Sequence, residues 1–89
     1  MPSAEINIIN KLGLHARASA KLTQLAGQYP CEIFLSKSDR RVNAKSIMGV
    51  MMLAAGVGSV VTLETEGDQA QEAFDAIQAL INDRFGEGQ

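Results

Sequence analysis

The nonapeptide NKLGLHARA, residues 10–18, marks the point where the spacing of apolar residues changes, and this change decides the fold. Before it, Ile6 and Ile8 alternate with polar residues, as in a half-buried strand over residues 5–9. After it, apolar residues recur at helical spacing over residues 16–26, opposite a polar stripe. The chain is therefore predicted to pass from a strand into a helix at this stretch.

The segment after the first helix alternates again and predicts a β-hairpin. Residues 31–36 place apolar side chains at every second position, and residues 41–43 can return as a short edge strand. Ser38 and Asp39 lie between them and favour a turn, because their short polar side chains bond to nearby backbone groups. Cys31 falls on the predicted buried face, where a thiol is expected to be inert.

A short helix and a fourth strand are predicted next. Residues 47–55 are apolar on nearly every side, follow Ser46 as a favourable N-cap, and end at Gly56. Residues 58–66 then alternate between apolar and polar side chains, as in a strand with one buried face.

The last periodic segment predicts a helix from residue 70 to about residue 84, with Asp68 and Gln71 resembling a capping box. The order strand, helix, strand, strand, helix, strand, helix predicts an α+β fold. In such a fold the helices pack on one face of an antiparallel sheet, and the other face meets water. The tail, residues 86–89, is expected to fray because of its composition.

Composition limits the class of protein. A chain of 89 residues with 46% hydrophobic content predicts one domain over residues 1–89. The single cysteine excludes an intramolecular disulfide, no apolar run could cross a bilayer, and the N-terminus has no signal-peptide pattern, so we expect a cytoplasmic protein. The net charge of -2 gives no general attraction for nucleic acid or anionic membrane, so any anion site must be local.

His15, the only histidine, is predicted to stand at the mouth of the first helix. The first N–H groups of a helix lack intrahelical acceptors and its dipole favours an anion there, yet no Ser, Thr, Asp or Asn immediately precedes Ala16 as a cap. Gly13 permits an unusual turn, and Arg17 and Lys21 lie on one helix face. Together these residues predict an anion site whose cap is left vacant.

This site suits reversible phosphorylation. A neutral imidazole can attack a phosphoryl donor and later act as the leaving group. The N–H groups of Ala16 and Arg17 and the positive end of the helix would stabilise the phosphate, and the Arg17 guanidinium would bond its oxygens. The chemistry requires no metal within the chain.

Other interpretations remain open on the residues alone. A lone histidine near a helix start is usually a local cap or an exposed polar residue, and Arg17 with Lys21 is typical of a solvated face. The protein could instead be a regulatory protein-binding module whose His15 is not used for relay. A ligand- or RNA-binding α+β domain is disfavoured by the net charge, the single tyrosine Tyr29 and the lack of tryptophan.

Two motifs resemble those of a known family. Residues 13–17, GLHAR, and residues 44–48, AKSIM, are similar to the histidine-containing phosphocarrier family, HPr, of the bacterial phosphoenolpyruvate-dependent phosphotransferase system. The similarity extends over nearly the whole chain. It implies an open-faced β-sandwich, in which a four-stranded antiparallel sheet of order 1-4-2-3 is covered on one face by three helices.

The resemblance also implies a function. His15 would be phosphorylated on Nδ1 by enzyme I and would pass the group to enzyme IIA domains, with Arg17 stabilising the phosphate. Such a protein is a carrier and not an enzyme. Phosphoenolpyruvate and Mg²⁺ would be used by enzyme I, and this chain would hold no cofactor. We expect a monomer that neither binds nucleic acid nor inserts into a membrane.

Regulation and docking are implied at the second helix. Ser46 is explained by its N-cap position alone, but the resemblance implies phosphorylation by an HPr kinase/phosphorylase. Ile47, Met48 and Met51 fall where the family docks its partners, and core filling is the competing explanation for each methionine.

One position departs from the family pattern. Proline usually follows the arginine, whereas this chain has Ala18, which keeps its N–H and loosens the start of the helix slightly. Residues 10–13, NKLG, and residues 82–85, NDRF, also resemble the nitrogen-related paralogue, NPr. The residues therefore leave the sugar-uptake and nitrogen-related branches both open.

Overall fold

The computed structural model describes residues 2–87 and contains four strands, three α-helices and one 3₁₀ turn. The elements in chain order are β1 (Ser3–Asn7), α1 (Ala16–Ala26), β2 (Glu32–Lys37), β3 (Arg40–Asn43), α2 (Ile47–Met52), β4 (Val60–Glu66), α3 (Ala70–Asn82) and the 3₁₀ turn Arg84–Gly86. Every predicted strand and helix is present. Within the described residues, no helix combines the length and the apolar character needed to cross a membrane.

The four strands form one antiparallel sheet in the order β1-β4-β2-β3. The central strand β4 pairs Val61 with Ile6 of β1 and Leu63 with Leu35 of β2. This order and the α+β architecture confirm the predicted fold. Away from the helices the sheet carries polar and half-buried side chains, and the guanidinium carbon of Arg41 lies 3.8 Å from the centre of the Phe34 ring.

The core lies between the sheet and the helices, and alternate strand residues point into it. The sheet contributes fully or almost fully buried side chains, which include Ile8, Ile33, Leu35, Val61 and Leu63. The helices meet them with Leu22, Val50, Ile77 and Ile81, each of them 0% exposed. Apolar burial of this kind contributes about 1.5–3 kcal/mol for each large side chain. The thiol of Cys31, which lies one residue before β2, is also buried, as predicted.

Strand β1 begins earlier than the alternation suggests. It runs from Ser3 to Asn7, whereas the alternation predicts residues 5–9, because Ser3 and Ala4 pair with Glu64 and Leu63 of β4. Ile8 keeps the predicted burial and bonds outside the ladder, its N–H donating to the carbonyl of Ser59 at 2.9 Å.

Helix α2 is shorter than the predicted residues 47–55. It ends at Met52 because Ala54 adopts a left-handed conformation with φ of 52°, which an α-helix cannot continue. Two side chains of the β2–β3 hairpin donate hydrogen bonds to carbonyls at this end of the helix. Arg40 Nη1 donates to the Met52 carbonyl at 2.8 Å, and Lys37 Nζ donates to the Ala54 carbonyl at 3.2 Å. Ala54, although it belongs to the predicted helical segment, is consequently exposed.

The predicted capping box of α3 is wrong. Gln69 occupies the N-cap in a left-handed conformation and makes no side-chain cap bond, while the Ala70 N–H bonds to the Gly67 carbonyl. Gln71 instead donates to Asp75 one turn further along the helix. The polar side chains are thus displaced from the helix start by the tight turn at Gly67, whose φ is 111°.

The end of the described chain is ordered, contrary to the predicted fraying of Gly86 and Glu87; residues 88–89 lie outside the described residues. Arg84, Phe85 and Gly86 all have φ between 54° and 75°, so the backbone reverses sharply after α3. Phe85 is 0% exposed and anchors the reversal in the core. Its burial offsets the left-handed backbone, which costs about 1–2 kcal/mol for each non-glycine residue.

Candidate functional site

The loop before α1 is held close to the loop after α2, and Gly13 makes this approach possible. The Leu14 N–H donates to the Ala55 carbonyl at 2.9 Å, and Gly13 has a φ of 65°. A Cβ on Gly13 would lie 2.6 Å from the Ala55 carbonyl oxygen and 2.7 Å from the Gly56 Cα, so only glycine fits. The loop therefore presents His15 at a fixed place.

His15 is itself the N-cap of α1, so the predicted vacant cap is wrong. Its backbone is extended, its carbonyl accepts the Ser19 N–H at 2.8 Å, and its side-chain Nδ1 accepts the Arg17 N–H at 3.3 Å. Imidazole nitrogen replaces the usual hydroxyl or carboxylate oxygen in the cap, which explains why no Ser, Thr, Asp or Asn is needed. The Nδ1 contact is long, so the ring is held only weakly there.

The other ring nitrogen of His15 is paired with a residue from the far end of the chain. Nε2 contacts the Oε2 atom of Glu87, and the imidazole is 27% exposed while the Glu87 side chain is 13% exposed. The Asn10 Nδ2 atom donates to Glu87 Oε1 at 3.0 Å and to the Gly13 carbonyl at 2.8 Å. Asn10 thus joins the loop of His15 to the end of the described chain.

Asn10 and Glu87 are absent from the predicted set of site residues. Seventy-two positions separate His15 from Glu87 along the chain, and no periodicity relates them. Asn10 is 0% exposed although it lies in a polar loop sequence, and a loop asparagine is ordinarily expected at the surface. The chain reversal at residues 84–86 brings these two side chains together, and no sequence signal for it is visible.

The Glu87 carboxyl responds to this environment. Desolvation opposes its ionisation, but hydrogen bonds from Asn10 and His15 and the positive charges of His15 and Lys21 outweigh it, so the pKa of Glu87 is lowered from its ordinary value of 4.5. Glu87 is therefore a carboxylate at neutral pH and accepts hydrogen bonds only.

The two predicted cations have different surroundings. Lys21 Nζ donates to the Phe85 carbonyl at 2.7 Å and so holds the 3₁₀ turn, whereas the Arg17 side chain is exposed. Both line an open pocket of about 650 Å³, together with Lys11, His15 and Glu87. A phosphate in this pocket would meet the exposed Arg17 guanidinium and the positive start of α1. Within residues 2–87, no three metal-ligating side chains are grouped for an ion.

The second helix presents a cap and an apolar surface. Ser46 is its N-cap, as predicted, with Oγ accepting the Gly49 N–H at 3.1 Å. Ile47, Met48 and Met51 are 40%, 68% and 41% exposed, which argues against core filling as the reason for these residues. Met52 is 58% exposed on the same short helix.

Comparison with known proteins agrees with this fold. The sequence model described as the PTS HPr component phosphorylation site matches residues 2–83. The phosphocarrier protein HPr of Cupriavidus necator is 65% identical over the full length of both chains. The phosphocarrier protein NPr of Shewanella violacea is 42% identical over 83 residues, which are 93% of this chain and 91% of that protein.

Solved structures of HPr proteins have the same fold. The crystal structure of HPr-C-His from Thermoanaerobacter tengcongensis superposes with a TM-score of 0.95 at 46% identity and covers 98% of both chains. Fold and sequence together define a phosphocarrier protein of the phosphotransferase system. The chain belongs to the HPr family.

Proposed function

We propose that His15 receives a phosphoryl group on Nδ1 from enzyme I and donates it to enzyme IIA domains. The observation that carries the proposal is the position of His15 as N-cap of α1, with Nδ1 directed at the Arg17 N–H. This places a nucleophilic nitrogen at the positive end of an eleven-residue helix. The protein is then a carrier with a covalent intermediate and not an enzyme.

The transfer uses groups already present in the site. The Nδ1 lone pair attacks phosphorus, the Nδ1–P bond forms, and the bond from phosphorus to the donor atom of enzyme I breaks with its electron pair leaving on that donor atom. The Arg17 N–H, which now bonds weakly to Nδ1 at 3.3 Å, turns to a phosphate oxygen, and the Ala16 N–H is a second donor. The exposed Arg17 guanidinium adds charge-assisted hydrogen bonds.

Phosphorylation with purified components tests this proposal. The protein is mixed with enzyme I, Mg²⁺ and phosphoenolpyruvate, and the product is examined for an acid-labile, base-stable phosphate. Heteronuclear ¹H–³¹P NMR then assigns the phosphate to Nδ1 or Nε2. We expect one phosphate on wild type and none on His15→Ala. Equal incorporation into both proteins would contradict the assignment to His15.

We also propose that Ser46 is a regulatory phosphorylation site for an HPr kinase/phosphorylase. Its hydroxyl is exposed at the N-cap of α2, where a phosphate would complement the helix dipole without unfolding the chain. The added charge lies beside Ile47 and Met48, so we expect about tenfold weaker association with enzyme I.

Mass spectrometry after incubation with the kinase and ATP tests the Ser46 proposal. Wild type and His15→Ala should both gain an acid-stable phosphate, and Ser46→Ala should gain none. Phosphate on Ser46→Ala, or no modification of wild type, would remove the assignment.

Partner docking is proposed for Ile47, Met48 and Met51. Exposed methionine adapts to several surfaces, as a carrier between different proteins requires. Truncation of an interface anchor typically costs more than 1 kcal/mol, so Met48→Ala should weaken enzyme I binding about fivefold or more. Met52→Ala, one position beyond the proposed set, is the matched control. Equal losses in both variants by calorimetric titration would contradict this surface.

The proposed relay places the protein as a monomer in the cytoplasm, where the partner enzymes supply the rest of the chemistry. Phosphoenolpyruvate and Mg²⁺ act at enzyme I, and the chain itself carries only the phosphoryl group. Relatives named HPr and NPr both resemble the chain, so the enzyme IIA domain that accepts the phosphoryl group decides between the sugar-uptake and the nitrogen-related branch. Phosphoryl transfer to sugar-specific and nitrogen-related enzyme IIA domains, compared at equal concentration, distinguishes the two.

A further inference from the structure

We propose that Glu87, oriented by Asn10, is a positioning residue that keeps the His15 proton on Nε2 and so leaves the Nδ1 lone pair free for the phosphoryl group. This inference rests on the proposed role of His15. It assigns a function to two side chains that lie outside the GLHAR motif, one before it and one at the opposite end of the chain.

The hydrogen-bond roles around the imidazole agree on one tautomer. A carboxylate can only accept, so Nε2 must be the donor in its contact with Glu87 Oε2. The Arg17 N–H can only donate, so Nδ1 must be the acceptor in the 3.3 Å contact. In the neutral ring, both contacts therefore place the proton on Nε2.

Asn10 determines which way the Glu87 group faces. Both partners of Asn10 Nδ2 are oxygen acceptors, the Gly13 carbonyl and Glu87 Oε1, so the amide is fixed with its nitrogen toward them. Asn10 is fully buried and belongs to the same loop as His15. One oxygen of Glu87 is thereby occupied by Asn10, and the other is left for Nε2.

The same pair of contacts serves the transfer step. When the Nδ1–P bond forms, the donor bond to phosphorus breaks and the ring becomes positively charged, with its proton still on Nε2. A carboxylate hydrogen-bonded to that proton stabilises the charge, as the aspartate of a serine-protease triad does for its histidine. Glu87 touches neither the donor nor the phosphate in this scheme and acts through His15.

The Asn10 contact makes the isosteric substitution informative. In Glu87→Gln, Asn10 Nδ2 still requires an oxygen, so the glutamine turns its oxygen to Asn10 and its NH₂ group to His15. The NH₂ group donates to Nε2 and forces the ring proton onto Nδ1, which blocks the nucleophile. In Glu87→Ala the weak Arg17 N–H contact still favours the reactive tautomer. The closer mimic is therefore expected to be the worse carrier.

Two measurements test the inference. The ¹⁵N shifts of His15 in the unphosphorylated protein, recorded at about pH 8.5 where an ordinary histidine is neutral, report the tautomer. Wild type and Glu87→Ala should carry the proton on Nε2, and Glu87→Gln on Nδ1. The rate of phosphoryl uptake from enzyme I should fall about threefold in Glu87→Ala and about tenfold or more in Glu87→Gln, because the wrong tautomer abolishes the nucleophile.

Controls separate positioning from general effects of the substitution. Glu72→Gln removes an exposed carboxylate of α3 and should leave the tautomer and the rate unchanged. The double variant Asn10→Ala with Glu87→Gln frees the glutamine to rotate and should restore part of the rate. Because Asn10 is buried, the double variant could fail to fold; the comparison of Glu87→Gln with Glu87→Ala then decides whether Glu87 positions the ring.

An unchanged tautomer in Glu87→Gln, or a rate in Glu87→Gln equal to or above that of Glu87→Ala, would overturn the inference. Failure of wild type to take up phosphate would instead remove the proposed function, and the tautomer measurement on the unphosphorylated proteins would still report whether Glu87 positions the ring.

Discussion

Lys21 in the first helix holds Phe85 at the opposite end of the chain: its Nζ atom donates a 2.7 Å hydrogen bond to the Phe85 carbonyl oxygen. Phe85 is buried and lies two residues before Glu87, so this bond helps to place the carboxylate that faces His15. Lys21 therefore contributes to the site by stabilising the chain reversal at residues 84–86, since its ammonium is bonded to the Phe85 carbonyl.

Replacing Lys21 should loosen that reversal. Lys21→Met keeps the apolar stem and removes the ammonium, and loss of one such hydrogen bond should lower the free energy of unfolding by about 1 kcal/mol. Urea unfolding measures the change. Lys11→Met is the matched control, because Lys11 makes no side-chain hydrogen bond or ion pair within residues 2–87. Equal midpoints for the two variants would argue against the support.

Arg17→Ala should separate transfer from folding. Within the described part of the chain the Arg17 guanidinium makes no hydrogen bond or ion pair, so the unfolding free energy should change by less than about 0.5 kcal/mol. Phosphoryl uptake should slow about tenfold or more, because one charge-assisted donor to the phosphate is lost. Rapid-quench kinetics with enzyme I measure the rate. A lowered midpoint with normal kinetics would contradict this role.

Gly13→Ala should be strongly destabilising, whereas Gly56→Ala should not. A Cβ at Gly13 would lie 2.6 Å from the Ala55 carbonyl oxygen in a left-handed backbone, and a Cβ at Gly56 would meet nothing within 4 Å. The strain and the clash together should cost Gly13→Ala about 2–4 kcal/mol of unfolding free energy. Denaturant unfolding of both variants checks the contrast, and similar stabilities would show that the loops do not need their close approach.

Acid should remove the contribution of Glu87 to stability. Hydrogen bonds from Asn10 and His15, with the charges of His15 and Lys21, lower the pKa of the folded-state carboxyl from 4.5 despite the opposing desolvation. A group with a lowered folded-state pKa stabilises the protein above its unfolded-state pKa, and this stabilisation is lost as the pH falls through the folded-state pKa. Wild type should therefore exceed Glu87→Ala in urea midpoint at neutral pH.

The two midpoints should converge as the pH falls below 4.5. Urea titrations at a series of acidic pH values, run in parallel on wild type and Glu87→Ala, follow this convergence. A midpoint difference that is independent of pH would show that the carboxylate charge is not the source of the stabilisation.

Sequence periodicity predicts the secondary structure well where one face of an element is buried. Ile6 and Ile8, which alternate with polar residues, are both buried, as predicted. The helically spaced residues Phe74, Ile77 and Ile81 are buried as well. Element ends are less well predicted because long-range contacts determine them. Helix α2 ends at Met52, and Lys37 of the β2–β3 hairpin donates a hydrogen bond to the Ala54 carbonyl just beyond this end.

The site likewise has one part that neighbouring residues predict and one part that depends on residues distant in the chain. His15 at the helix mouth follows from adjacent residues, and the structure shows it as the N-cap. Its partners Asn10 and Glu87 meet only because the chain reverses at Phe85, a buried residue with a left-handed backbone. Statistics for single residues disfavour such a conformation for phenylalanine, so the closing of the site could not be read from composition or spacing.

The reversal at Phe85 also affects how the protein can be labelled. Because Glu87 lies against His15, an affinity tag or fluorescent label introduced directly after Glu87 would begin beside the phosphoryl pocket. Ser3 starts β1 at the end of the strand opposite the loop that carries His15. A label placed before Ser3 is therefore the suitable choice for assays of phosphoryl exchange.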